Sequence, residues 1–93
     1  MKILILEEVL KVQEEALGLM SKPLDQENLR SLIHKIKGGA LLSNDQLLVN
    51  QCAQLEESKA SFNSIQKSFH SYLATSNQFL EKQIHTLKSG LIS

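Results

Sequence analysis

Apolar residues recur along this chain every three or four positions, the spacing that gathers them on one face of an α-helix. Leu6, Val9, Leu10, Leu17 and Met20 form the first stripe, with Glu7, Glu8, Glu14 and Glu15 mostly outside it. They predict a helix over about residues 4–21. Leu29, Leu32, Ile33, Ile36 and Ala40 predict a second over about 26–42. Leu48, Cys52 and Leu55 mark a third over about 45–58. Phe62, Ile65, Phe69, Leu73, Leu80, Ile84 and Leu87 share one side of a fourth over about 61–88, with Tyr72 and Phe79 flanking. Four amphipathic helices with short connections imply an all-α fold, an antiparallel four-helix bundle. Ile3-Leu4-Ile5-Leu6 is too dense for a half-exposed helix. It either packs over one end of the bundle or is the remnant of a linker.

The breaks between stripes carry their own signals. In Ser21-Lys22-Pro23-Leu24-Asp25, proline at the first helical position would leave Lys22 as the cap, and lysine caps poorly. Asp25 is the better cap, with Glu27 in the first turn and Leu24 and Leu29 spaced as a hydrophobic staple. At Ser43-Asn44-Asp45-Gln46 two readings compete. Ser43 and Gln46 fit a capping box for the third helix, or Asn44 closes the second with left-handed backbone angles. Between the third and fourth helices only serines and a phase shift in the stripe argue for a turn.

Composition narrows the class further. A chain of 93 residues, 42% apolar, makes one domain with one core, and four aromatics without tryptophan make that core mostly Leu and Ile. One proline and four glycines favour long helices. Zero formal net charge argues against nucleic acid, and there is no polybasic route to a membrane surface. Cys52, the single cysteine, reads as a small buried residue rather than a reactive thiol. No aliphatic run is long enough to span a bilayer, so the default setting is the reducing cytoplasm.

The candidate chemistry lies on the second helix. At about 100° per residue its apolar side chains span an arc of about 100°, and His34 points about 140° from the centre, toward water. Gly38 follows one turn later on the same outer face, with Lys37 beside it. Two adjacent glycines inside a helix cost roughly 1 kcal/mol each relative to alanine. Either they announce the end of the helix, or Gly38 clears the way for another protein to reach the imidazole. Leu41, two turns beyond His34, is either a contact to the third helix or an apolar docking rim. His85 reads as a surface histidine, and His70 as a partly packed polar residue. No metal site is expected from the three histidines, whose spacing suits none. Glu14-Glu15 and Glu56-Glu57 read as solvated helix charges, and nothing resembles a nucleophile elbow.

The run His34-x-x-Lys37-Gly38, followed by Leu48, Cys52 and Leu55-Glu56, resembles the histidine-containing phosphotransfer (HPt) domain. The likeness covers Asp25 to about Glu57 in residues, and the remainder only in helix number and order. Gly38-Gly39-Ala40 looks most like the HPt modules at the C-terminus of hybrid sensor histidine kinases. Two positions depart from the pattern. Gly39 stands where the family often has serine or another small residue. Asn44 stands where a glycine is usual, and asparagine tolerates the same backbone conformation.

The resemblance implies a phosphorelay carrier in two-component signal transduction. His34 would take a phosphoryl group from the aspartate of one receiver domain and pass it to another. Lys37 is the matching lysine, and Gly38 matches the glycine that clears the docking surface. A neutral imidazole has a free lone pair near neutral pH, so it can act as a nucleophile without a buried base. A phosphohistidine carries about two negative charges, which Lys37, and Arg30 one turn before His34, could offset. In-line transfer needs a metal clamp, and magnesium and the aspartates are expected on the partner receiver, with no cofactor on this chain. The expected partners are receiver domains of response regulators or of a hybrid sensor kinase, with no direct membrane contact. The chain is then a phosphocarrier without kinase activity, either free in the cytoplasm or the cytoplasmic end of a membrane-bound sensor kinase. The alternative is a non-phosphorylated helical interaction module that binds a signalling partner.

Overall fold

The computed structural model describes residues 2–22 and 24–92, with side chains over 3–22 and 24–90. Four helices follow in order: α1 (Lys2–Met20), α2 (Gln26–Leu42), α3 (Gln46–Glu57) and α4 (Phe62–Ile92). No strand occurs among the described residues. The dense opening Ile3–Leu6 belongs to α1, where Leu6 is buried while Leu4 and Ile5 stay exposed. At the other end α4 continues about a turn past its last predicted residue. Its 31 residues give about 46 Å at 1.5 Å per residue. That length accounts for the 48 Å long axis of the molecule.

Polar side chains set the helix ends. Asp25 caps α2, accepting the Asn28 N–H at 2.8 Å from an extended backbone. Leu24 and Leu29 both join the core above it, as a staple requires. Pro23 lies outside the described residues. At the α2–α3 turn the capping box of Ser43 and Gln46 does not form. Asn44 takes φ 63°, the Asp45 N–H bonds the Ala40 carbonyl at 2.9 Å, and the Asn44 N–H bonds that of Leu41 at 3.3 Å. This is a Schellman motif with asparagine in the left-handed position. The N-cap of α3 passes to Asp45, whose Oδ1 accepts the Leu48 N–H at 3.2 Å. Serines make the α3–α4 turn. Ser58 Oγ accepts the Ala60 N–H, and Ser61 Oγ accepts the Ser64 N–H at 3.3 Å.

All four helices feed the main core, through Met20, Ile33, Ile36, Cys52, Phe69 and Leu73 among others. A second cluster joins Leu6 and Val9 of α1 to Leu80 and Ile84 of α4. Between the two lies a polar layer that the sequence stripe did not reveal. Gln13 Nε2 donates to Ser76 Oγ at 3.1 Å and to Asn77 Oδ1 at 2.9 Å, and Ser76 Oγ donates to Asp45 Oδ2 at 2.8 Å. The layer ties α1 and α4 to the cap of α3. Any slip of α1 along α4 would strand these buried groups, at about 1–3 kcal/mol apiece. With Leu29, Ile33, Ile36 and Ala40 turned inward, α2 is held with one face outward.

Candidate functional site: the outer face of α2

His34 sits on that outer face with its side chain 76% exposed. Gly38 and Gly39 lie inside α2, which runs on to Leu42, and neither takes positive φ, so they do not end the helix. A Cβ built on Gly38 would meet nothing within 4 Å, and one on Gly39 only Val9 Cγ1 at 3.9 Å, an ordinary contact. Packing therefore demands glycine at neither position, although each costs roughly 1 kcal/mol against alanine. Leu41, which could have packed on α3, is 58% exposed, and Leu42 beside it is exposed as well. Arg30 is exposed and shares the lining of a small cavity of about 30 Å³ with Glu56 and Phe62.

The residue that sequence reasoning undervalued is Glu56. Its carboxylate comes across from α3 to the histidine face, with Oε1 2.8 Å from Lys37 Nζ and Oε2 3.8 Å from His34 Nδ1. It is not a freely solvated charge: its side chain is 30% exposed, and that of Lys37 27%. The Lys37 contact is a charge-assisted hydrogen bond. The His34 separation is longer than a hydrogen bond but well inside the range of charge interaction. Nδ1 thus faces the carboxylate, and Nε2 is the ring nitrogen directed away from it. The signal was present in the spacing, because Glu56 lies four residues after Cys52 and eight after Leu48, at the edge of the stripe that faces the core.

Beneath this surface Cys52 is fully buried. Burial, with smaller contributions from the nearby Glu56 and Asp45 carboxylates, pushes its thiol from 9.0 up to about 12, against the opposing effect of Lys37. His70, expected to be partly packed, is exposed because it falls just outside the buried edge of α4, and His85 is exposed too. No group of three or more His, Cys, Asp or Glu side chains among the described residues is placed to hold a metal ion. Among the described residues no helix is long and apolar enough to cross a membrane.

The arrangement offers an accessible nucleophile, a cation one turn away, a carboxylate facing the other ring nitrogen, and a helix face with no side chain at Gly38. Comparison with protein-family models, curated proteins and solved structures found no match.

Proposed function

We propose that this chain is a phosphorelay carrier of the HPt type, an antiparallel four-helix bundle that accepts a phosphoryl group on His34 from a receiver-domain aspartate and hands it to another receiver. The observation that carries the reading is the exposed His34 followed, one turn on, by a glycine that packing does not require. A phosphoryl donor must come in line with the ring nitrogen, and a bare helix surface beside that nitrogen permits a flat approach. Lys37 supplies positive charge next to the site, and Arg30 adds a second cation on the same face. Magnesium and the aspartates belong to the receiver, so the chain carries phosphate without kinase activity of its own. Its setting is the cytoplasm, where receivers reside.

A second reading is a helical interaction module that binds a signalling partner without carrying phosphate. It is favoured by the apolar surface beyond His34. Leu41 and Leu42 are exposed at the end of α2, and the exposed Leu47 and Phe79 line a cavity of about 240 Å³. His34→Gln separates the two. In a relay rebuilt from two receivers, the carrier reading expects the variant to lose phosphoryl passage while keeping receiver affinity and melting temperature. Normal passage through the variant rejects it in favour of the module.

A further inference from the structure

We infer that Glu56 sets how strongly His34 holds a phosphoryl group, by occupying Lys37 when the site is empty and repelling the phosphoryl group when it is filled. The inference rests on the carrier reading above. Its basis is the three-way contact across the α2–α3 seam: Lys37 Nζ to Glu56 Oε1 at 2.8 Å, and Glu56 Oε2 to His34 Nδ1 at 3.8 Å. Lys37 is the cation best placed to stabilise a phosphohistidine, yet in the empty site it is committed to Glu56.

The transfer step itself balances without help from Glu56. The Nε2 lone pair forms the N–P bond, and the acyl-phosphate P–O bond breaks with its electrons returning to the receiver's aspartate. The Nδ1 proton passes to solvent, so the ring ends neutral and the product carries the charge of the phosphoryl group alone. What changes is the charge around the product. About two negative charges arrive within several ångströms of the Glu56 carboxylate, and Lys37 is drawn toward both. A phosphoryl group held under this opposition leaves more readily for the next receiver. Glu56 is a positioning residue here, since it acts through Lys37 and the local field rather than on the reacting atoms.

At a largely exposed site, solvent screening keeps the effect modest, roughly three- to tenfold in the phosphoryl partition between carrier and receiver. The test equilibrates a phosphorylated, magnesium-loaded receiver domain with the wild type, Glu56→Gln, Lys37→Gln and the double variant, and measures the share of label on each protein. Glu56→Gln is expected to move the partition toward His34 by three- to tenfold. Lys37→Gln should move it away by a similar factor, and the double variant should return near the wild type. A structural role would shift both single variants in the same direction, and melting curves recorded alongside show that all four proteins are folded. An unchanged or reduced share on Glu56→Gln overturns the inference while leaving the carrier reading intact. The carrier reading fails separately if the wild type takes no label at His34 from the receiver or from phosphoramidate, a small donor that needs no docking, and the inference then falls with it.

Discussion

Gly38 is where the fold and the proposed function make opposite demands, so substitution there discriminates sharply. It lies in the interior of α2, and a Cβ at that position meets nothing within 4 Å. Alanine should therefore gain the helix-propensity difference of about 1 kcal/mol with no steric cost, and leucine nearly as much. For a domain of this size that corresponds to a rise in melting temperature of roughly 4–8 °C. Transfer should respond in the opposite sense. Leucine puts a branched side chain one turn from the imidazole, on the face that the proposed receiver would approach. A displacement of about 1 Å in a reacting pair can lower the rate on the order of 10²-fold. Gly38→Leu is thus expected to melt higher than the wild type and to accept phosphate from a receiver roughly 10²-fold more slowly, with Gly38→Ala only slightly affected. Gly18→Ala is the control. It too lies on an open helix surface, in α1, so it should raise the melting temperature without altering transfer. Thermal melts followed by circular dichroism and rapid-quench transfer assays measure both quantities. A Gly38→Leu variant that is stabilised yet transfers at the wild-type rate would refute the access argument. A destabilised Gly38→Ala would refute the steric one.

Asp45→Ala removes the cap of α3 and the acceptor for Ser76, and should cost about 2 kcal/mol in urea denaturation; a loss under about 0.5 kcal/mol would contradict that double role. Asn44 sits at φ 63°, so Asn44→Gly should hold or raise stability while Asn44→Ala lowers it by about 1 kcal/mol; equal effects would remove the left-handed turn. Cys52 should resist thiol reagents at neutral pH until the protein unfolds, and rapid labelling of the native state would contradict its burial. Its folded value of about 12 lies above the 9.0 of the free thiol, so folding favours the neutral form. That contribution is complete below pH 9.0 and is lost as the pH climbs through about 12. The stability advantage of the wild type over Cys52→Ala should accordingly narrow across this window, and a constant difference would exclude the linkage.

Much of the fold could be read from the chain because helical periodicity is a local signal. Leu29, Ile33, Ile36 and Ala40 are inward by spacing alone, and the same spacing sends His34 and Gly38 outward. Cys52 was legible as a buried residue for the same reason. The α2–α3 turn was only half legible, because Ser43, Asn44 and Asp45 all suit helix ends. Their assignment depends on one backbone angle, φ 63° at Asn44, which no side-chain preference fixes uniquely. The buried layer does not show in the apolar stripe, because Gln13, Ser76 and Asn77 are polar residues at buried positions. The place of Gln13 four residues after Val9, and the matching place of Ser76 between Leu73 and Leu80, marked both for the interface. Glu56 shows the harder limit. Spacing could place it at the edge of α3, but its distances to Lys37 and His34 depend on how α3 is set against α2, and a single helix does not encode that.

The central claim is that His34 carries phosphate, and the most direct measurement is the site and chemistry of the label. The protein is mixed with a phosphorylated, magnesium-loaded receiver domain, and the product is examined by acid and base treatment and by peptide mapping, with His34→Gln alongside. The account predicts an acid-labile, base-stable phosphate on the peptide containing His34 and none on the variant. Label that survives acid, or that persists in His34→Gln, would contradict it.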